Sequence, residues 1–166
     1  MLSKENLGQG PAINFLMSSV RTPYLMMLED DWELVNPERR LFFNDSIQFM
    51  AAHPEIGTIK LDTCHFLDFS DSAVYSGPHY SDQGRIPFYV QNPEMLWGGF
   101  CFPPAITRTE VMKSIGECTE EQPYRRGWAE SYYSAHFSRV SYAAKSPKML
   151  LFKHISEQPS SGWSDG

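Results

Sequence analysis

Residues 24–31 read YLMMLEDD. Five apolar residues in succession, with no polar alternation, mark a strand covered on both faces rather than a half-exposed one. Three carboxylates then follow at once. Uncompensated, Glu29, Asp30 and Asp31 repel one another, so they either face bulk water or surround something positive. A strand covered on both faces fits a sheet between helices, and the alternation of helix and strand signals along the chain gives the α/β class.

The rest of the chain supplies such helices. Residues 10–20 (GPAINFLMSSV) place Pro11 at a first helical turn, with Ala12, Phe15, Leu16 and Val20 on the expected apolar face. Asn36 and Pro37 open a second helical pattern, carried by Phe43, Ile47 and Met50 and stopped by Pro54. Thr58 to Leu61 reads as a strand. Residues 64–95 are rich in Ser, Asp, Gly, Pro and Tyr, with short β signals at Val74-Tyr75 and Phe88–Val90, and predict an antiparallel excursion or a mobile loop rather than a domain boundary. A short helix follows, with Thr107 or Thr109 as its cap and Gly116 as its stop. A further helix covers GWAESYYSAHFSRV, and a last apolar strand spans Lys148 to Lys153. The expected architecture is one α/β domain over 1–166, a mixed and mostly parallel sheet between helices.

Composition narrows the function. The formal net charge is −6 over 166 residues, which argues against a general nucleic-acid binder. Three scattered cysteines, Cys64, Cys101 and Cys118, form neither a disulfide framework nor a zinc spacing, so a reducing, cytoplasmic setting is expected. No apolar run approaches the length of a membrane span.

Two apolar strands end in metal-ligating residue types: YLMML runs into Glu29-Asp30-Asp31, and MLLFK runs into His154. Ligands of open α/β sheets bind beyond the carboxyl ends of strands. Were the two strands parallel, Asp31 and His154 would emerge on one edge and could share a divalent cation. Oxygen ligands with one imidazole suit Mn2+ or Mg2+ better than a structural zinc. The competing reading is a solvated strand end with a surface histidine. In WGGFCF, Gly98 and Gly99 permit close backbone approach to a ligand and Trp97 offers a plate for a sugar ring; a turn beside a core tryptophan explains the same residues. Glu130 falls in the first turn of its helix, where the macrodipole favours the ionised carboxylate that a general base needs. Helix N-termini also carry such acids with no function.

Taken in order, these segments resemble the glycosyltransferases of the GT-A fold, close to the inverting family 2 enzymes. NLGQGPAIN and EDD are similar to the Asn-x-Gly, Ala-x-Asn and DxD region, WGGF to the Gly-Gly segment of the donor-sugar site, GWAES to the acidic base motif, and KHISEQPSSG to the closing segment. The resemblance implies that Asn6, Gly8 and Asn14 line the nucleotide side and that Glu29 and Asp30 lie by the nucleotide sugar. It makes Asp31 and His154 the metal ligands, Trp97, Gly98 and Gly99 the sugar pocket, and Glu130 the base. Ser131 stands where the family often has an Asp after the base. The family carries about two βα units upstream of the Asn-x-Gly stretch, so an incomplete GT-A domain is expected here.

The implied reaction moves a sugar from a nucleotide-diphosphate donor to a hydroxyl of a glycan, lipid or protein acceptor, with Mn2+ or Mg2+ and inversion. The alternatives are a non-catalytic remnant of such an enzyme, a metal-dependent hydrolase using the same acids and histidine, and a metal-free sugar-binding module.

Overall fold

The computed structural model describes residues 8–37, 41–61, 74–76, 87–90, 102–118, 128–145 and 151–155, with backbone alone at 41, 74–76, 87–90 and 128. Among the described residues four helices, α1 (Gln9–Ser19), α2 (Leu41–Ala52), α3 (Thr109–Ile115) and α4 (Trp128–Phe137), accompany eight strands. The strands are β1 (Tyr24–Met27), β2 (Trp32–Leu34), β3 (Ile56–Lys60), β4 (Val74–Ser76), β5 (Pro87–Val90), β6 (Ala105–Arg108), β7 (Tyr142–Lys145) and β8 (Phe152–His154). Six form one sheet in the order β1-β6-β3-β7-β5-β4; β2 and β8 form a separate ribbon.

The α/β class is as expected, but the strand directions are not. Among the described residues only β3 and β7 pair in parallel; the β1–β6, β3–β6, β5–β7, β4–β5 and β2–β8 pairs are antiparallel. The sheet is therefore mostly antiparallel rather than mostly parallel. The cause is β6, which inserts between β1 and β3 and runs opposite to both. The apolar run at 24–28 gave neither the direction of the neighbour nor the burial: β1 stands at the end of the described sheet and is half-buried, with Met26 and Leu28 exposed rather than covered on two faces. Of the segment 64–95, the described residues form the antiparallel pair β4–β5, which joins the sheet through β7; the rest of it lies outside the described residues.

Two packed layers cover the sheet. On one face, Phe42, Phe49 and Met50 of α2 meet Ile59, Ile106 and Ala144. On the other, Ile13 and Met17 of α1, Met112 and Ile115 of α3, and Tyr133 and Phe137 of α4 meet Ala143, with Leu25 and Met27 packed alongside. In α1 the buried residues are Gly10, Ile13 and Met17, whereas Phe15 and Leu16 are exposed, opposite to the expected face. Apolar residues surround most of this helix, so periodicity alone could not choose a side. In α2 the expected stripe does pack on the core, Met50 fully buried and Phe43 and Ile47 half-buried against it, and Phe42 and Phe49 widen it.

Local contacts explain the element ends. Strand β6 passes straight into α3 with Arg108 at the cap position and no side-chain cap bond, so neither Thr107 nor Thr109 serves as the cap. The Arg108 guanidinium instead donates to the carbonyls of Met50, His53 and Ile56, closing the C-terminus of α2. Gly116, at φ 89°, ends α3 as expected. At Gly57 a Cβ would fall 2.4 Å from Ser141 Oγ and 3.0 Å from Phe137 Cζ, so β3 and the end of α4 approach through a missing side chain.

Candidate active site

The acids and the histidine do converge, by a route different from parallel strands. After β1 the chain turns through Glu29-Asp30-Asp31 into β2, which pairs antiparallel with β8 so that Trp32 lies opposite His154. The ribbon extends one step further, with Ile155 N–H donating to Asp31 O at 2.8 Å. Residues 151 and 152 tie it to the main sheet, both N–H groups donating to Leu61 O beyond the end of β3. Asp31 at the start of one strand thus meets His154 at the end of its partner. His154 Nε2 lies 2.9 Å from Asp31 Oδ2. The Trp32 ring meets the imidazole edge-to-face at 5.0 Å between centroids, which fixes the ring plane.

Asp31 Oδ1 is shielded from solvent and has no hydrogen-bond partner among the described residues. A carboxylate with one oxygen on an imidazole and the other shielded and unsatisfied is a natural cation ligand. Among the described residues no group of three or more His, Cys, Asp or Glu side chains stands ready to hold a metal. Two protein ligands nevertheless fit a magnesium-type ion, which commonly binds through one or two carboxylates, substrate phosphates and waters.

Glu29 reports the crowding. Its carboxyl is raised above the ordinary value of 4.5, first by desolvation and then by the negative charges of Asp31, Glu130 and Asp30; His154 pulls it the other way. Glu130, which is distant in sequence, thus lies within electrostatic reach of Glu29. It lies in the first turn of α4, as expected, and its Oε1 accepts the Phe102 N–H at 2.8 Å. That bond joins the helix start to the segment entering β6.

A groove of about 540 Å³ runs between α1 and β1, lined by Ile13, Leu16, Leu25 and Met27 among others, and reaches Glu29 and Phe102. Asn14 is turned to another purpose. Its Oδ1 accepts Cys118 N–H and its Nδ2 donates to Cys118 O, both at 2.9 Å, while Tyr133 OH donates to the same Oδ1 at 3.4 Å. Both ends of the amide thus hold the end of α3 against α1. Gly8 sits at the N-cap of α1 with φ 75° and open space at its Cβ position. Asn6, Trp97, Gly98 and Gly99 lie outside the described residues.

The sequence reading missed two features of this end of the protein: the Phe102 N–H that holds Glu130, and the buried Lys60 and Lys145. Backbone donors leave no residue-type signal, and both lysines close apolar strands where a cation reads as a solvated end.

No protein-family model matches the chain, and no curated protein matches it.

Proposed function

We propose that this site belongs to a metal-dependent, inverting glycosyltransferase of GT-A type, moving a sugar from a nucleotide-diphosphate donor to an acceptor hydroxyl. The observation that carries the reading is the contact of Asp31 with His154 from two distant segments, with Asp31 Oδ1 left unsatisfied among the described residues and the charges of Asp31 and Glu130 both felt at Glu29. Asp31 and His154 would hold Mn2+ or Mg2+, with Glu29 and Asp30 on the donor side. Bound there, the ion supplies Lewis-acid stabilisation of the charge that develops on the diphosphate.

Glu130 provides the base. Phe102 N–H holds its Oε1, which leaves Oε2 to take the proton of the acceptor hydroxyl. The freed oxygen attacks the anomeric carbon, and the bond from that carbon to the diphosphate breaks with its electron pair on the diphosphate. Attack opposite the leaving group inverts the centre. In this reading Trp97, Gly98 and Gly99 shape the sugar pocket, and Asn6 and Gly8 adjoin the nucleotide.

The second reading is a non-catalytic relative that binds the ion but no donor. Asn14 favours it, because a residue expected beside the nucleotide has committed its amide to Cys118. Turnover separates the two: UDP or GDP released from a panel of sugar donors, in the presence of Mn2+ and a hydroxyl acceptor, supports transfer. No release from any donor removes the enzymatic reading.

A further inference from the structure

β1 stands at the end of the described sheet, with β6 on one side of it. The ladder fixes which backbone groups face the other side. Thr109 N–H donates to Pro23 O, and Tyr24 to Met27 then pair in turn with Arg108 to Ala105. In an antiparallel pair, successive residues alternate between bonding their partner and turning away from it. Pro23, Leu25 and Met27 therefore bond to β6, and the N–H and C=O groups of Tyr24 and Met26 turn to the open edge. The bond from Leu61 N–H to Pro104 O gives the same phase from the far side of β6, where its even-numbered residues bond to β3. Thr22 Oγ1 donates to Tyr24 O at 2.7 Å and closes that end of the edge. The backbone N–H and C=O of Met26 have no such partner among the described residues.

The groove between α1 and β1 runs along this edge, with Leu25 to Leu28 on its wall. Leu16 on the helix side and Leu28 on the strand side are more than half exposed, and Met26 is exposed as well. Met17, Met26 and Met27 all line the groove, and their unbranched side chains adapt to varied neighbours. Among the described residues the lining holds no lysine or arginine. Its charged residue is Glu29, at the end where Asp30 and Asp31 follow.

We infer that this edge takes an extended polypeptide segment as a further strand, seated between β1 and α1, with a lysine or arginine of that segment at the Glu29 end. The outward backbone of Met26 selects the class of partner. An extended peptide presents the matching N–H and C=O groups, which an alkyl chain lacks and a helix has already spent. The apolar wall takes its alternate side chains. The acids at one end, on a chain of net charge −6, select a basic partner. The inference concerns polypeptide binding alone and stands whether or not the protein transfers sugar.

The test is amide NMR of the full chain, titrated with an acetylated synthetic peptide that alternates valine and threonine and ends in two lysines. The Met26 amide should shift and its hydrogen exchange should slow. Two further copies of the peptide carry N-methyl groups, one on its odd residues and one on its even residues. A single set faces β1, so one copy should lose binding and the other keep it. Glutamates in place of the lysines should weaken binding about two- to fivefold at low salt, and by less as salt rises. Met26→Pro removes the outward N–H without touching a bond to β6, and should weaken the peptide about two- to tenfold. An unmoved Met26 amide, or equal binding by both methylated copies, overturns the added strand. A glutamate peptide that binds as tightly overturns the basic partner. A Met26 amide protected without peptide also overturns the inference: protection at every protein concentration shows an edge covered by the chain itself, and protection that grows with concentration shows a second copy. Should Met26→Pro fail to fold, the methylated pair decides.

Discussion

His154 Nε2 and Asp31 Oδ2 stand 2.9 Å apart across the short β2–β8 ribbon, with the Trp32 ring set against the imidazole. Both side chains are partly exposed, so the contact alone contributes little to stability. Its significance is positional, because it places a nitrogen and a carboxylate where one ion can reach both.

That placement predicts a spectroscopic result. Substoichiometric Mn2+ should broaden the NMR signals of Asp31, His154 and Glu29 first, and Asp31→Ala should remove the selective broadening. Equal broadening of surface acids such as Glu110 would show that manganese has no preferred site here.

Glu29 predicts a pH dependence. Its carboxyl is raised by desolvation and neighbouring acids, so the folded chain holds this proton more tightly than the unfolded chain. Stability from this group is greatest below the ordinary value of 4.5 and falls as pH rises through that value towards the raised one. It stays lower above that window. Glu29→Gln should therefore melt higher than the parent at neutral pH and nearly the same at about pH 4. Parallel pH profiles for the two proteins would contradict the crowding of Glu29.

Glu130→Gln retains an oxygen for the Phe102 N–H but cannot take a proton. Donor binding should survive while transfer falls by ~10²–10⁴-fold. An undiminished rate would assign the base elsewhere.

Gly57→Ala tests the seam between β3 and α4. Its Cβ would fall 2.4 Å from Ser141 Oγ, which itself donates to Glu55 O at 2.8 Å, so the neighbour is not free to yield. A loss of about 1–3 kcal/mol in chemical denaturation is expected. An unchanged midpoint would mean that the backbone relaxes there.

How far these features were legible in the sequence differs element by element. The YLMML run located β1 and the acids at its end, but the strand is not doubly buried: it stands at the end of the described sheet, half-buried, with Met26 and Leu28 exposed. It could not say that β6 would lie beside β1 and run the other way. The meeting of Asp31 with His154 was anticipated from their positions after apolar strands, yet it arises from an antiparallel ribbon that no local pattern announces. In α1, apolar residues on most sides hid which face would pack, and Ile13 and Met17 rather than Phe15 and Leu16 were buried. Asn14 resembled a ligand-facing residue; its long-range bonds to Cys118 depend on where α3 ends.

The central claim is that Asp31 and His154 hold a divalent cation which in turn holds a nucleotide-sugar diphosphate. Calorimetric titration of UDP- and GDP-sugars in Mn2+ tests it most directly. The account predicts donor binding that requires manganese and is lost in Asp31→Ala while the melting transition stays cooperative. Donor binding of equal strength without metal, or retained in Asp31→Ala, would contradict it.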